Sequence, residues 1–328
     1  MYKRQSFGTT KIPLVSIILA NYLRSEVLEF AIKSVLIQSF QNWELLIIGD
    51  NTDRSSELVI SKFKDPRVYF VNLSKNFGDQ SGPNSVGLKL TRGKYIAFLS
   101  QDDLWFPWHL ENALDFLQNS TFDAYLSHYL TFKSIKRNGS ITNCFFDENN
   151  CLDSYNPCDL NTFVATSWVI SKSATSKCGS FKPASKIRYA SSQEYLFRLW
   201  ASGARIFVGK KISSLVIPSI SQFLSYKDKS GKLHELLYET YIEKSLLPEI
   251  YGKALKKRLR PDQTIGYTHR DGNLFLTHIQ KNSNLIFRLT SRIVQRLNVA
   301  PFEFASLLLL MKKGEVNKIL RRGRGLPL

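Results

Sequence analysis

Short apolar runs alternate with stretches of helical spacing between residues 13 and 117, and this alternation constrains the fold more than any other feature of the sequence. The apolar runs are rich in β-branched residues, which is typical of parallel strands buried on both faces. The stretches between them carry apolar residues three and four positions apart, which indicates amphipathic helices. A regular alternation of strand and helix predicts a doubly wound α/β sheet.

The predicted strands lie at residues 14–19, 43–48, 68–72 and 95–99, and the predicted helices at 25–38, 55–63 and 84–91. Residues from about 123 to 216 are predicted to be mixed and looped, with one helix at 193–202. From about residue 219 the chain is predicted to be mostly helical and basic. Ligands of doubly wound sheets bind beyond the carboxyl ends of the strands. A site is therefore expected at the polar clusters after residues 19, 48 and 99.

Length and composition indicate an ordinary globular protein, because 43% of the 328 residues are hydrophobic, enough for a sizeable core. No apolar run approaches the roughly 18–20 residues that span a bilayer. Residues 1–11 are polar and basic and have no signal-peptide core after them. We therefore expect a cytoplasmic protein, or one that is peripheral on the inner face of the membrane. The cysteines fit no common zinc pattern and are expected to be free thiols; they are Cys144, Cys151, Cys158 and Cys178.

The net charge of +18 is concentrated toward the C-terminus, where residues 226–328 hold 20 Lys and Arg against 9 Asp and Glu. Such a region attracts nucleic acid, anionic lipid head groups or a phosphorylated acceptor. No nucleic-acid-binding module is recognisable, so nucleic acid is not expected as a partner. Residues 288–297 and 302–320 have the pattern of amphipathic helices with basic faces. They are equally compatible with binding to an anionic membrane surface and with a packed helix that carries a solvated tail.

Two acidic segments follow predicted strands. Residues 100–103 (SQDD) place Asp102 and Asp103 side by side at a strand end, where their mutual repulsion needs a cation or hydrogen-bond donors. Mg²⁺ or Mn²⁺ would suit such a pair, and the alternative is that Asp103 caps a helix. Asp50 follows the second strand, where an acidic residue can accept hydrogen bonds from a nucleoside or simply belong to a turn.

Two further segments remain ambiguous on the residues alone. Asn76 and Gly78, with the small residues that follow, either let the backbone approach a ligand closely or form an ordinary loop. Glu194 begins the predicted helix at 193–202. It is either a first-turn residue that complements the helix dipole or a general base near an acceptor hydroxyl.

Together these segments resemble the family 2 glycosyltransferases. Residues 13–22 (PLVSIILANY) look like the opening strand and nucleotide-binding turn of that family, and residues 34–39 (SVLIQS) look like its helix end. Residues 43–53 resemble its "EllivDDgStD" strand and turn. The segments at 65–68, 76–78 and 93–99 continue in family order, followed by the SQDD segment at the DxD position. The likeness is close to about residue 117 and looser through the helix that carries Glu194.

The resemblance implies a GT-A fold, a Rossmann-like mixed sheet with a helical C-terminal extension. Residues 1–118 would be the donor-binding half, 119–225 the acceptor-binding half with the catalytic base, and 226–328 a basic helical region. The donor would be a UDP-, GDP- or dTDP-sugar, and the acceptor a saccharide or lipid-linked saccharide of polysaccharide biosynthesis. A single displacement would invert the anomeric carbon.

The resemblance also implies roles for individual residues. The donor would contact Ala20, Tyr22, Asp50, Asn76, Gly78 and Asp102. Asp50 would bind the base. Asp102, with Asp103 beside it, would hold Mn²⁺ or Mg²⁺ on the diphosphate, and Glu194 would deprotonate the acceptor.

The sequence departs from the family pattern in three places: Gly49 and Ser100 each stand where the family has Asp, and Asn84-Ser85 stand where it has Arg-Asn. These departures keep open a second hypothesis, a catalytically degenerate protein that binds nucleotide-sugar, glycan or a partner without turnover. A nucleotidyltransferase is disfavoured, because residues 20–24 (ANYLR) lack the glycine-rich phosphate loop expected there.

Overall fold

The computed structural model describes residues 12–137, 140–148, 163–187, 190–217, 226 and 230–245, together with 313, 314, 318, 321 and 326. Over these residues, no helix has both the length and the apolar character to cross a membrane. The predicted amphipathic helix at 288–297 lies outside the described residues, as does most of the one at 302–320. Cys178 is a free thiol, and the side chains of the other three cysteines also fall outside the description.

Strands and helices alternate through the first part of the chain, as the apolar pattern predicts. The elements in order are β1 (Val15–Asn21), α1 (Ser25–Leu36), β2 (Trp43–Gly49), α2 (Arg54–Ser61), β3 (Val68–Asn72), α3 (Ser81–Leu90), β4 (Tyr95–Ser100), β5 (Leu104–Trp105) and α4 (His109–Gln118). Then come β6 (Ala124–Arg137), β7 (Ser140–Glu148), β8 (Trp168–Ser171), α5 (Lys172–Cys178), α6 (Ser191–Ala201), β9 (Ile206–Val216) and α7 (Lys232–Leu237). A π-helical turn, Tyr238–Ile242, continues α7.

The nine strands of the described residues belong to one mixed sheet, in the order β3-β2-β1-β4-β8-β6-β9-β5, with β7 paired to β6. The first four strands in that order are parallel to one another. Strand β8 pairs antiparallel with both β4 and β6, which joins the parallel part to the later strands. The mixed α/β sheet expected from the sequence is therefore confirmed.

Helices cover both faces of the parallel part, because successive strand residues point to opposite sides. Ile17 packs into a cluster with residues of α1 and α4. Its neighbour Ile18 packs into a second cluster with residues of β4, β8 and α6. Two buried faces explain why these strands are continuously apolar rather than alternating.

The sequence prediction missed most of the sheet between residues 123 and 216. Strands β6 and β9 pair in parallel over much of their length, with irregular register near His128. Their sequences mix Lys, Ser and Thr with apolar residues, since parts of β9 lie exposed. Helix α3 also begins earlier than predicted, at Ser81, because Pro83 is tolerated in a first helical turn.

An ion pair is buried at the end of the sheet opposite the predicted site. Glu44 on β2 is 1% exposed and accepts hydrogen bonds from the Ser16 hydroxyl at 2.6 Å and from the Arg92 backbone N–H at 2.9 Å. The Arg92 guanidinium pairs with the other carboxylate oxygen at 2.7 Å. Arg92 thus compensates a carboxylate that has almost no access to water.

Replacing Arg92 with Met is expected to destabilise the protein by about 3 kcal/mol, because Glu44 would be left as an uncompensated buried charge. Chemical denaturation would measure the loss. Arg205→Met is the matched control, since the pair between Arg205 and Asp123 is exposed and loose at 3.8 Å. Equal losses in the two variants would show that the Glu44 pair has no special importance.

His109 at the start of α4 is buried, and its ring stacks on Trp105 with centroids 4.2 Å apart. Its Nδ1 lies 2.8 Å from the Ser213 hydroxyl oxygen. Burial lowers the pKa of His109 from 6.5 to about 3. The folded protein therefore keeps this imidazole neutral at pH values where the unfolded chain is protonated.

Because the unfolded chain takes up a proton at His109 below about pH 6.5 and the folded protein does not, acidification favours unfolding. The resulting loss of stability grows as the pH falls from about 6.5 toward 3. Between pH 6.5 and 4.5 we expect His109 to lower the free energy of unfolding by about 2 kcal/mol. A His109→Gln variant should lack this component, so the stability difference between wild type and variant should shrink by that amount on acidification. Denaturant titrations at the two pH values measure it. A difference that does not change with pH would contradict the prediction.

Candidate functional site

The parallel register brings the predicted polar clusters to one edge of the sheet. Asn21 at the end of β1 lies opposite Gly49 at the end of β2. Ala20 lies opposite Ser100 at the end of β4. The turns that carry Tyr22, Asp50 and Asp102 therefore lie side by side, as expected for a doubly wound sheet.

Asp50 is 4% exposed and holds the loop that follows β3. Its two carboxylate oxygens accept the backbone N–H groups of Phe77 at 2.8 Å and Gly78 at 3.2 Å. The Asn76 side chain donates to the Asp50 carbonyl oxygen at 2.9 Å. Burial raises the pKa of Asp50 to about 6, while the two N–H groups act in the opposite direction. Three residues predicted to bind the donor are thus joined directly, namely Asp50, Asn76 and Gly78.

Gly49 has a steric explanation. A Cβ at this position would lie 2.7 Å from the Asn72 side-chain oxygen, closer than real Cβ contacts. That oxygen accepts the Thr52 backbone N–H at 3.0 Å, and the Asn72 amide donates to the Thr52 carbonyl. Asn72 thereby fixes the turn after β2 and needs a residue without a side chain at position 49.

Gln101 links the turns after β1 and β4. Its side-chain oxygen accepts the Tyr22 backbone N–H and the Asn21 amide, both at 2.8 Å. Its side-chain nitrogen donates to the Tyr22 carbonyl and to the Tyr226 hydroxyl at 3.2 Å. The rings of Tyr22 and Tyr226 lie with centroids 6.2 Å apart. A residue from the C-terminal third of the chain therefore covers the turn predicted to bind the nucleotide.

The two adjacent carboxylates have different environments. Asp103 is 5% exposed, and its oxygens accept the Ile217 backbone N–H at 3.0 Å and the Thr166 hydroxyl. Burial, together with repulsion from Asp102, raises the pKa of Asp103. Strand β5 follows directly, so Asp103 does not cap a helix. It fastens the turn after β4 to β9 and to the segment before β8.

Asp102 is the member of the pair that remains accessible, with 16% of its side chain exposed. Its Oδ2 lies 3.5 Å from Nη1 of Arg24, a buried residue in the left-handed conformation at φ 52°. The His234 ring nitrogen Nε2 lies 3.1 Å from the Asp102 backbone oxygen. Arg24 also lies over the Tyr226 ring, with its guanidinium carbon 5.4 Å from the centroid.

These donors fit a divalent ion only in a limited way. In the described part of the chain, no group of three or more His, Cys, Asp or Glu could hold a metal. Of the two adjacent carboxylates, Asp102 is the accessible one, whereas both oxygens of Asp103 already accept hydrogen bonds. Mg²⁺ in nucleotide sites is commonly held by one or two carboxylates, with substrate phosphates and water as the other ligands. Asp102 fits that arrangement.

Thr166 was not predicted from the sequence, although its hydroxyl binds Asp103 and accepts the Ser100 backbone N–H at 3.2 Å. Thr166→Val keeps the shape and removes the donor, so we expect a loss of about 1–3 kcal/mol in the free energy of unfolding. Thr166→Ser should retain most of the stability because it keeps the hydroxyl. Thermal and denaturant unfolding of both variants test this, and similar losses in the two would exclude the hydroxyl as the cause.

Helix α6 reaches the site through its N-terminus. The Ser191 hydroxyl donates to the Asp79 carboxylate, which also accepts the Ser81 hydroxyl at 2.6 Å. Asp79 follows Gly78 in the loop bound by Asp50. The start of the helix is therefore attached to the loop of the predicted donor site.

Glu194 lies in the first turn of α6 and is 2% exposed. Its Oε1 pairs with Arg198 at 2.7 Å and with Lys182 at 2.9 Å. Arg198 also donates to the carbonyl oxygens of Cys178 and Ser180, which ties the helix to the end of α5. Among the described residues, Oε2 of Glu194 is a buried atom without a hydrogen-bond partner. The structure thus gives Glu194 an ion-pair role and one unused oxygen.

Sequence reasoning missed the residues that brace the site from distant positions. Arg24, Thr166, Tyr226 and His234 carry no local pattern, because their partners lie far away in the chain. Asn72 and Gln101 could have been found from the sequence. Asn72 ends a predicted strand and Gln101 follows one shortly after its end, and both lie next to a turn of the site. Amide side chains at such positions commonly fix turns.

Comparison with known proteins finds relatives for the first half of the chain. The family model "Glycosyl transferase family 2" matches residues 16–176. The UDP-Glc:alpha-D-GlcNAc-diphosphoundecaprenol beta-1,3-glucosyltransferase WfaP of Escherichia coli is 31% identical over 118 residues, which are 36% of this chain and 47% of that protein. The poly(ribitol-phosphate) beta-N-acetylglucosaminyltransferase TarP of Staphylococcus aureus is 34% identical over 119 residues, 35% of this chain and 36% of TarP.

A solved structure extends the likeness in fold. The crystal structure of S. aureus TarS residues 1–349 superposes with a TM-score of 0.51 and 15% identity, and the match covers 79% of this chain and 75% of that one. At this identity the similarity concerns the fold alone. The chain spans half or less of the length of both curated relatives, with 47% of WfaP and 36% of TarP.

Proposed function

Because the chain belongs to glycosyltransferase family 2 through residues 16–176 and has the GT-A fold, we propose that it transfers a sugar from a nucleoside-diphosphate donor to a hydroxyl acceptor with inversion. The observation that carries this proposal is that the turns with Asp50 and Asp102 lie at the carboxyl ends of neighbouring parallel strands in the mixed sheet. A nucleotide bound across those turns would contact both carboxylates. We propose a UDP-, GDP- or dTDP-sugar as the donor.

We propose that the nucleoside lies against Asp50 and its loop. The Asp50 carboxylate is held by two backbone N–H groups, so its orientation is set before a ligand arrives. A preorganised acceptor loses little conformational freedom on binding. Asn76 and Gly78 bind Asp50 directly, and Ala20 and Tyr22 lie at the end of the neighbouring strand β1.

We propose that Asp102 holds Mn²⁺ or Mg²⁺ on the diphosphate. Asp103 fixes the turn that carries Asp102 through its hydrogen bonds to Thr166 and Ile217. A bound divalent cation would offset the negative charge of the departing nucleoside diphosphate. The difference in exposure supports this division, since Asp103 uses both oxygens for structural hydrogen bonds. Arg24 lies beside Asp102 and adds a positive charge to the same place.

For the proton of the acceptor hydroxyl we propose Glu194 as the base, acting through Oε2. That atom is the one carboxylate oxygen of Glu194 that its two cations leave unused. Because Glu194 is 2% exposed, this role requires the neighbouring loops to open when the acceptor binds. The alternative is that Glu194 only anchors α6 through Arg198.

We propose a saccharide or a lipid-linked saccharide of polysaccharide biosynthesis as the acceptor. WfaP is named for a diphosphoundecaprenol-linked sugar acceptor, and TarP for poly(ribitol-phosphate). Both acceptors are anionic, and the C-terminal part of this chain is strongly basic. Attraction to an anionic membrane surface would bring the enzyme to such an acceptor.

The proposal is tested by incubating the full chain with a panel of nucleotide-sugars and Mn²⁺ or Mg²⁺. We expect one donor to be consumed and Asp102→Ala to abolish its consumption, because the diphosphate would lose its metal ligand. Wild type that binds one of the nucleotide-sugars without transfer or hydrolysis would instead support the degenerate binding protein. Wild type that neither binds nor consumes a donor would refute the donor site itself.

The base is tested by comparing Glu194→Gln with Arg198→Met. Both variants break the same ion pair, but only the first removes the carboxylate. If Glu194 is the base, Glu194→Gln should bind donor and turn over at least about a hundredfold more slowly, and Arg198→Met should retain much more activity. Similar losses of turnover and of melting temperature in the two variants would reduce Glu194 to an anchor of α6.

A further inference from the structure

The C-terminal part of the chain places an arginine in the proposed donor site. Nη1 of Arg321 donates to the Gly78 carbonyl oxygen at 2.5 Å. The N–H of the same glycine donates to Asp50 at 3.2 Å. The positive charge of Arg321 lowers the pKa of Asp50, although burial keeps that pKa raised overall. Arg321 and Asp50 thus bind one loop residue and interact electrostatically.

One backbone hydrogen bond near Arg321 attaches the C-terminal part to the rest of the described structure, and another is internal to it. The Gly314 N–H donates to the Ile187 carbonyl at 2.8 Å, and the Leu326 N–H donates to the Arg321 carbonyl at 2.9 Å. Ile187 precedes α6, the helix whose N-terminus is attached to Asp79. Gly314 therefore lies next to the chain that leads into α6, and Arg321 lies at the loop bound by Asp50.

Gly78 is shaped for this contact. Its φ of +81° disfavours any residue with a side chain, and a Cβ there would lie 2.9 Å from Nη1 of Arg321. A bare backbone at position 78 therefore allows the guanidinium to approach the loop. This close approach joins residues 243 positions apart in the chain.

The electrostatics of the site call for such a cation. Asp50, Asp79, Asp102 and Asp103 all lie on the turns at this edge, and a diphosphate would add further negative charge. The first turn of α3, from Ser81 to Asn84, contributes no Lys or Arg. A guanidinium carries five N–H donors in a planar fork that matches phosphate and carbonyl oxygens.

We propose that Arg321 is a donor-binding residue, which contacts oxygen atoms of the nucleoside while it holds the Gly78 loop. The Arg321 side chain then forms part of the wall of the donor site. This inference rests on the proposed function, because it assumes a nucleotide at Asp50. It predicts that nucleotide binding and docking of the C-terminal segment strengthen each other, as linkage between two coupled equilibria requires.

Calorimetric titration of the full chain with UDP, GDP and dTDP, in the presence of Mn²⁺, provides the first test. We expect the nucleotide that binds wild type to bind Arg321→Ala at least about tenfold more weakly, since a charge-assisted hydrogen bond is lost. Arg205→Ala removes an exposed arginine that pairs with Asp123 and not with the proposed donor site, and this variant should bind nucleotide like wild type. Unchanged affinity in Arg321→Ala would overturn the inference and leave the donor site intact. No binding of any of the three nucleotides by wild type would overturn the proposed function and the inference together.

Hydrogen exchange of the same proteins gives a second test that does not depend on the variant folding normally. In wild type, nucleotide should slow exchange in peptides that cover residues 313–326, because the bound ligand holds the segment in place. In Arg321→Ala this added protection should disappear. Faster exchange of the segment on adding nucleotide to wild type would show that the arginine competes with the donor for the site, and would refute its assignment as a donor-binding residue.

Discussion

The pairing of β1 between β2 and β4 is the constraint on which the rest of the structure depends. Because both partners run parallel to β1, the polar turns at their carboxyl ends meet along one edge. Helices pack on both faces of these strands, so a slip of one residue would exchange the side chains that fill the two cores. The site is therefore positioned by the core, and its residues do not have to find each other independently.

The parallel half of the sheet could be predicted from the sequence because its signals are local. β1, β2, β3 and β4 are short apolar runs next to recognisable helices, and Asp50 and Asp102 follow them directly. The long strands β6 and β9 were missed, since β9 is partly exposed and its polar residues hide the strand pattern. Pairing between distant segments leaves no periodic trace in either of them.

The candidate site was predictable to a similar extent. The sequence placed two carboxylates after β4 but could not tell them apart, because the difference comes from partners at Thr166 and Ile217. The same holds for Glu194, because Lys182 and Arg198 pair with one of its carboxylate oxygens and the sequence does not indicate those contacts. Whether Asp102 binds metal and Glu194 accepts a proton stays a prediction. Arg321 lies beyond the reach of any local rule.

The contact between Gly49 and Asn72 means that these two positions cannot change independently. An Asp at position 49, as in the family pattern, would have to enter space already filled by the Asn72 amide. The amide in turn holds Thr52, whose hydroxyl accepts the Leu23 N–H at 2.9 Å. A chain with the family residue at 49 therefore needs a different residue at 72 and another way to brace the first nucleotide turn. Replacing Gly49 alone with Asp would therefore disturb the turn after β2 together with its hydrogen bond to the turn after β1.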